Sequence, residues 1–173
     1  MMATGTLERF ATTRLTAERP AQAHLDDLIR LHLDPAVSRY LGGVRSPEAT
    51  ISWLDAQLAH WVECGFGVWV LHGMDGAFVG RAGLRRVELD GTREIEIVYS
   101  LARAYWGRGL ATEIAAALID LWLTRIDSPS LAGIVAVGNT ASRRVLEKSG
   151  FGFERRTVFR SADVVVLRRM RAE

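Results

Sequence analysis

The chain has 173 residues, of which 49% are apolar and 24% charged, a balance typical of one globular domain rather than a disordered or fibrous chain. The formal net charge is +2 and the basic residues are scattered among nearly as many acids, so neither nucleic acid nor a membrane is an expected partner. A single cysteine excludes an intrachain disulfide, and the apolar stretches are too short for a signal peptide or a membrane span. The sequence therefore predicts a cytoplasmic protein.

The first half of the chain predicts two helices and then a hairpin. Apolar residues at helical spacing indicate an amphipathic helix over 21–33. Ser46 and Pro47 form an N-cap and first-position pair that begins a second helix, which ends before Gly65. A change to strand patterning around a Met-Asp-Gly turn then predicts a hairpin of two strands, 68–71 and 78–84.

The second half alternates strands and helices. The segment 93–101 predicts a strand with one apolar face and one face that carries Glu94 and Glu96. A glycine-rich turn leads from it into a long helix over 107–126. The remaining predicted elements are a buried strand at 131–137, a helix from Asn139 to Gly150, and strands at 151–159 and 164–170.

The most informative stretch is 99–113, YSLARAYWGRGLATE, in which a strand passes through a glycine turn into a helix. Glycines allow the backbone to approach a ligand closely, and the unpaired N–H groups at a helix start favour an anion. The pattern predicts a phosphate site, although a plain strand-to-helix turn explains the two glycines as well. Neither the P-loop nor the dinucleotide glycine pattern is present, so ATP and NAD are not favoured.

The stretch resembles the acetyl-CoA motif of the GNAT acetyltransferase superfamily, [Arg/Gln]-x-x-Gly-x-[Gly/Ala]. Gly109, Leu110 and Ala111 match its second half, and Trp106 stands where Arg or Gln belongs. The segment 139–151, NTASRRVLEKSGF, resembles the second family motif. Both motifs are close to the branch that acetylates the N-termini of ribosomal proteins, and with 12–20 and 34–43 the resemblance covers almost the whole chain.

The resemblance implies a single-domain α/β (α+β) GNAT fold over 7–171. Its mixed, mostly antiparallel sheet would have six or seven strands flanked by about four helices, with the strand ending near Leu101 splayed from the strand at 131–137. Acetyl-CoA would lie in that splay and no metal would be required. The implied cofactor-binding residues are Tyr99, Leu101, Trp106, Gly107, Arg108, Gly109, Leu110, Ala111, Thr112, Asn139 and Ser142.

The same resemblance implies direct acetyl transfer to an amine, with Glu96 as general base. Glu94 shares its face and remains an alternative, as does a structural role for both as solvated carboxylates. The tyrosine that protonates the leaving thiolate in many relatives is replaced by Leu146. Ser142 is the polar group that this branch offers instead, with an ordinary first-turn role in the helix as the alternative.

The sequence is compatible with more than one acceptor, oligomeric state and function. The acceptor is an amine of a protein N-terminus or of a small molecule, and the protein is a monomer or a homodimer. The alternative function is a coenzyme A-binding sensor or partner-binding domain without catalysis. A further expectation is that at least one of five basic residues contacts a coenzyme A phosphate: Arg103, Arg108, Arg143, Arg144 and Lys148.

Overall fold

The computed structural model describes residues 7–172 and, in that range, contains one sheet and five α-helices. The strands are β1 Arg9–Ala11, β2 Leu15–Glu18, β3 Val68–Gly73, β4 Phe78–Leu89, β5 Thr92–Leu101, β6 Ser130–Ala136, β7 Gly152–Phe159 and β8 Ala162–Met170. The helices are α1 Leu25–Leu33, α2 Pro35–Ser38, α3 Pro47–Cys64, α4 Leu110–Arg125 and α5 Thr140–Lys148.

The sheet is mixed and mostly antiparallel, which confirms the predicted fold class. Within residues 7–172 it has eight strands in the order β1-β2-β3-β4-β5-β6-β8-β7, and only β5 and β6 are parallel neighbours. The predicted count of six or seven strands was low because β1 and β2 have only 3 and 4 residues, too few to show a clear alternation. The count of about four helices omitted α2, which also has 4 residues.

The helix α3 shows how local sequence sets an element's bounds. The Ser46 hydroxyl accepts a hydrogen bond from the Ala49 amide at 3.1 Å, and Pro47 occupies the first helical position. At the other end, Gly65 adopts a left-handed conformation with φ of +72° and its amide donates to the Trp61 carbonyl at 2.9 Å. Both ends agree with the prediction.

The strand β5 separates two sides of the molecule, because its successive side chains point to opposite faces of the sheet. Tyr99 reaches α5, where its hydroxyl donates to the Ser142 carbonyl at 3.0 Å. Arg81 of β4 is paired in register with Ser100, so it lies on the other face, and its Nε donates to His32 of α1 at 3.0 Å. The helices α1 and α5 therefore cover opposite faces.

The two halves of the sheet are joined loosely at its centre. The parallel pair β5 and β6 has a single register position, Glu96 opposite Ala132, whereas β4 and β5 pair along ten positions. Beyond Glu96 the two strands diverge toward their carboxyl ends. This is the splayed central pair that the resemblance implied.

The main core packs the sheet against α4 and the end of α3. Its largest fully buried side chains are Trp69 of β3 and Trp122 of α4, with Ile114 and Leu118 of α4 beside them. Among residues 7–172, no helix has both the length and the apolar character needed to cross a membrane.

Candidate active site

The glycine turn between β5 and α4 has the backbone conformation that the anion-site prediction requires. Gly107 and Gly109 have φ of +71° and +77°, in the left-handed region that side-chain-bearing residues rarely adopt. Gly109 is the N-cap of α4 and has no side chain to accept from the first amides of that helix. These amides, together with the positive end of the helix dipole, form a site suited to phosphate.

The side chains around this turn hold its backbone in place. The Trp106 indole N–H donates to the Leu101 carbonyl at 2.8 Å, which closes the end of β5. Arg14, which follows β1, donates to the Arg108 carbonyl at 2.8 Å and to Glu113 of α4 at 2.7 Å. Arg14 carried no motif of its own, so sequence reasoning missed it.

The second motif begins α5 and brings two hydroxyl groups together. The Asn139 carboxamide caps the helix by accepting from the Ser142 amide at 3.2 Å. The Ser142 and Tyr99 hydroxyls lie 3.0 Å apart, and burial raises the pKa of Tyr99 to about 12 although the hydrogen bond to Ser142 opposes that rise. The Tyr99 hydroxyl therefore stays protonated at neutral pH and can donate.

Leu146 occupies the position of the tyrosine found in many relatives and offers no polar group for catalysis. Leu146 is 2% exposed and packs so tightly on β6 that a Cβ on Gly133 would collide with one of its methyl groups. Sequence reasoning named the backbone of Tyr99 but missed its side chain, because β5 alternation placed it simply on an apolar face.

Glu96 is a buried ion-paired carboxylate, which corrects the alternative of a solvated surface group. The residue is only 3% exposed, and the Arg85 Nε donates to its Oε2 at 2.8 Å. The pairing arises because the two residues face each other in the β4–β5 register. Within residues 7–172, Oε1 of Glu96 makes no hydrogen bond, so one carboxylate oxygen is free to accept one.

Glu94 lies on the same face as Glu96 but is fully engaged elsewhere. Both of its oxygens accept from the Arg168 guanidinium, at 2.8 and 2.9 Å. Among the residues that the structure describes, Glu96 lines a cavity that opens between β5 and β6, and Glu94 does not line it. Of the two candidates for a base, only Glu96 lines that cavity.

A cavity of about 190 Å³ opens where β5 and β6 diverge. It brings together four of the predicted site residues: Glu96, Tyr99, Asn139 and Ser142. The residues of the glycine turn do not line it among those described, since they follow the carboxyl end of β5. The cavity thus contains the two candidate catalytic residues, Glu96 and Ser142, and the glycine turn lies outside it.

Sequence reasoning missed the arginines on the side of the cavity that faces α1 and α3. Four arginine side chains line it: Arg45, Arg81, Arg85 and Arg160, hereafter the arginine cluster. They come from separate parts of the chain, and no local motif connects them. Their spacing in the sequence offered no signal.

The basic residues predicted to meet coenzyme A phosphates have varied surroundings. Arg103 forms an ion pair with Asp34 at 2.6 Å, and Arg143 forms one with Glu147 at 2.8 Å, which leaves each less available to a phosphate. Arg108 stacks on the Tyr105 ring at 5.5 Å. A phosphate contact by one of the set stays a prediction.

One group of metal-type side chains lies away from this cavity. Single ligand atoms of Glu18, His24 and His72 lie within 4.8 Å of one another. His24 has both ring nitrogens engaged, since Nδ1 accepts from the Ala21 amide at 2.9 Å and Nε2 faces Glu18 at 3.0 Å. These contacts give His24 a structural role at the start of the first helical turn.

Comparison with known proteins places this geometry in a family. Residues 14–152 match the acetyltransferase (GNAT) domain family. That range contains the glycine turn, both catalytic candidates and the splayed strand pair.

Three solved structures share the fold over nearly the whole chain. An acetyltransferase from Agrobacterium tumefaciens superposes with a TM-score of 0.84, 24% identity and 99% coverage of both chains. The RimL ribosomal L7/L12 α-N-protein acetyltransferase, in complex with coenzyme A, gives 0.78 with 19% identity over 94% of this chain and 98% of that one. Spermidine N-acetyltransferase from Vibrio cholerae, in complex with coenzyme A and spermine, gives 0.73 with 20% identity over 90% and 95%.

Proposed function

The chain belongs to the acetyltransferase (GNAT) family, and from this premise we propose that it transfers an acetyl group from acetyl-CoA directly to a primary amine held beside Glu96. The observation that carries the proposal is the cavity between β5 and β6, which places the free oxygen of Glu96 and the paired hydroxyls of Ser142 and Tyr99 in one space. We take 7–171 as the functional domain and retain the cytoplasmic location as a prediction.

Binding of acetyl-CoA is supported by the backbone of the first motif. The left-handed Gly107 and Gly109 leave room for a ligand close to the chain, and the first amides of α4 suit a pyrophosphate. The solved structures of RimL and of spermidine N-acetyltransferase contain coenzyme A in the same fold. We assign the binding role to Tyr99, Leu101, Trp106, Gly107, Arg108, Gly109, Leu110, Ala111, Thr112, Asn139 and Ser142.

Glu96 would serve as the proton acceptor. An amine is acetylated only after it loses its proton, and an α-amino group, with a pKa near 8, loses it more readily than a lysine near 10.4. The ion pair with Arg85 orients the Glu96 carboxylate, while Oε1 remains available to the amine or to a bridging water.

Ser142 and Tyr99 would stabilise the leaving sulfur. The reaction releases a thiolate, which a nearby hydroxyl can stabilise by donating a hydrogen bond. The Tyr99 hydroxyl is shared between the Ser142 carbonyl and hydroxyl oxygens, so a proton is available to Ser142 when its own hydroxyl turns toward the sulfur. Leu146 cannot take this role because it is apolar.

The acceptor is a primary amine, either at a protein N-terminus or on a small molecule. The name of RimL points to the first class and that of the spermidine enzyme to the second, and both proteins share only the fold with this chain. The alternative of a coenzyme A-binding domain without catalysis was based on two departures from the family motifs, Leu146 in place of tyrosine and Trp106 in place of Arg or Gln. The comparisons give it no support.

A thiol-release assay with acetyl-CoA tests the proposal against peptides with free N-termini, polyamines and aminoglycosides. We expect acceptor-dependent release of coenzyme A and a mass increase of one acetyl group on the acceptor. A folded protein that binds coenzyme A by calorimetry yet acetylates no member of the panel would favour the alternative of a domain without catalysis.

A further inference from the structure

The face of the cavity toward α1 and α3 carries an excess of positive charge. The arginine cluster supplies four guanidinium groups, and Glu96 is the one acidic side chain among the described residues that line the cavity. Three positive charges therefore remain in excess. A cavity of about 190 Å³ with such an excess is unusual, because like charges repel most strongly where water is scarce.

Two of these arginines converge on one uncharged atom. The Nε2 atom of His32 accepts from Arg81 Nε at 3.0 Å and lies 3.4 Å from Arg45 Nη1. Nδ1 then holds the imidazole proton and donates to the Thr50 hydroxyl at 2.9 Å. Burial and the adjacent Arg81 and Arg45 charges lower the pKa of His32 to about 3, so this histidine is neutral.

The two guanidiniums are held by neutral groups rather than by acids. Arg81 is 4% exposed and its guanidinium lies 4.5 Å from the centre of the Trp53 ring, a cation–π arrangement. Burial and then the Arg45 and Arg85 charges lower the pKa of Arg81. Within residues 7–172, Arg45 and Arg81 have no carboxylate partner.

The fourth member, Arg160, lies at the mouth of the cavity. It occupies the two-residue turn between β7 and β8, where Arg160 and Ser161 have φ of +49° and +65°. Such a turn favours asparagine and glycine, so an arginine there costs conformational energy. Among the described residues it also has no carboxylate partner.

Exposure falls steadily from the mouth to the interior. Arg160 is exposed, Arg45 and Arg85 are half-buried, and Arg81 is buried. The charges therefore form a path that leads from solvent to the carboxylate of Glu96. Structural stability does not explain its buried part, because an unpaired guanidinium that is removed from water makes the fold less stable.

We propose that the acceptor amine carries an anionic group, a carboxylate or a chemically similar anion, that the arginine cluster binds while the amine faces Glu96. This inference rests on the proposed function and names its substrate class. The anion would neutralise part of the excess positive charge. A single acceptor molecule would then place its amine beside Glu96 and its anionic group against the arginine cluster. A free polyamine, with several positive charges, would be repelled.

The phosphates of coenzyme A are not the anion in question. Arg81 contacts α1 and α3, whereas Leu101 points to the opposite face of β5 and belongs to the core cluster that includes Leu110 at the start of α4. The anion site of the glycine turn and the arginine cluster are therefore on different sides of the sheet. Loss of an arginine of the cluster should leave coenzyme A affinity unchanged.

Matched acceptors test the inference. L-glutamate is compared with its diamide, in which neutral amides replace both carboxylates. The peptide Ser-Glu-Glu-Ala amide is compared with Ser-Gln-Gln-Ala amide. Spermidine serves as the cationic acceptor. We expect kcat/KM to be about ten-fold or more higher for the anionic member of at least one pair, with the preference declining as salt rises. The two pairs separate a free amino acid from an acidic N-terminus as the source of the anion.

Charge variants connect the preference to the cluster. Arg45→Gln and Arg160→Gln should raise KM for the anionic acceptor about ten-fold, with a smaller change in kcat and unchanged coenzyme A affinity. Arg125→Gln is the matched control, because it removes one positive charge from the exposed far end of α4. The control should keep the full preference.

Two results would overturn the inference. An active enzyme that prefers spermidine or treats both members of each pair equally would remove the anionic acceptor and leave the acetyltransferase proposal intact. If no amine is acetylated, the proposed function fails, and calorimetry decides the inference separately. Binding of L-glutamate to the coenzyme A-loaded protein should then be weakened by Arg160→Gln, and absence of any binding would overturn it.

Discussion

The proposed cofactor region and the proposed acceptor region are built from different groups. On the proposed cofactor side, which comprises the glycine turn outside the cavity and the starts of α4 and α5, the groups offered to a ligand are mainly backbone amides placed by left-handed glycines and helix caps. On the proposed acceptor side they are side chains, Glu96 and the arginine cluster, with the buried His32 behind Arg81 and Arg45. A backbone site is fixed by local conformation and tolerates changes in side chains, whereas a side-chain site depends on every partner.

This difference predicts where substitutions will act. Changes on the acceptor side should alter turnover, substrate preference and pH dependence. Changes on the cofactor side should alter coenzyme A affinity through the backbone. The following experiments test that division, beginning with the largest expected effect.

Replacing the carboxylate of the acceptor side should have the greatest consequence. Glu96→Gln should lower kcat by about 10²- to 10⁴-fold at neutral pH, since the amide cannot accept the amine proton. Turnover should recover partly as the pH rises and the amine loses its proton unaided. The measurement is the pH-rate profile.

Glu94→Gln is the matched control, because Glu94 lies on the same face of β5 but pairs with Arg168 outside the cavity. That variant should keep the wild-type profile. A profile for Glu96→Gln that superimposes on the wild type would remove Glu96 from the mechanism.

Acid should destabilise the acceptor side through His32. Its pKa is about 3 in the folded protein and near 6.5 when unfolded, so the unfolded chain binds more protons between these values. The free energy of unfolding should therefore fall as the pH drops below about 6.5, by up to roughly 1.4 kcal/mol per pH unit from this residue. Urea unfolding from pH 7 to 4 measures the slope.

The variant His32→Gln isolates that contribution, because His60 also has a pKa lowered mainly by burial and adds a slope of the same sign. The substitution should flatten the dependence between pH 6.5 and 4.5. An unchanged slope would show that His32 is already protonated in the fold and would contradict its neutral role beside Arg81.

The cofactor side should respond to backbone strain. Gly109→Val should weaken coenzyme A binding by about ten- to a hundred-fold, because a branched side chain disfavours φ of +77° by about 1–2 kcal/mol and crowds the first amides of α4. Calorimetry gives the affinity and thermal unfolding gives the stability.

Gly91→Val provides a control with the same φ of +77°, in the turn between β4 and β5. It should cost similar stability with normal coenzyme A affinity. Equal affinities in the two folded variants would remove the glycine turn from the binding site.

The hydroxyl pair should give the smallest effect. A thiol with a pKa near 8.5 is already a fair leaving group, so Ser142→Ala should lower kcat by only a few-fold with little change in coenzyme A affinity. Tyr99→Phe should do the same, and the double variant should cost less than the product of both effects, because the hydroxyls act through one hydrogen bond. Independent effects would indicate two separate roles.

The contrast between the two sides also explains what the sequence could predict. The glycine turn and the Asn139 cap are local, so their residue types and spacing within one short stretch predicted the helices that they begin. The same holds for α3, whose ends are fixed by Ser46 and Gly65. Such features depend on backbone conformation, which neighbouring residues determine.

The acceptor side could not be predicted in this way. Arg45, Arg81 and Arg160 are brought together by the fold, and each alone has the pattern of a surface charge. The alternation along β5 correctly placed Glu96 on a face, but its burial depends on Arg85 in the neighbouring strand. Tyr99 likewise meets Ser142 across 43 positions of the chain.

The divergence of β5 and β6 means that the protein keeps two strand edges within its interior. An unpaired edge is normally a hazard, since its free N–H and C=O groups can recruit a foreign strand and start aggregation. Here the two unpaired edges face the cleft between β5 and β6. An extended ligand with amide groups can form hydrogen bonds with the backbone there, as an added strand would. The same geometry that weakens the centre of the sheet would let a bound ligand complete it.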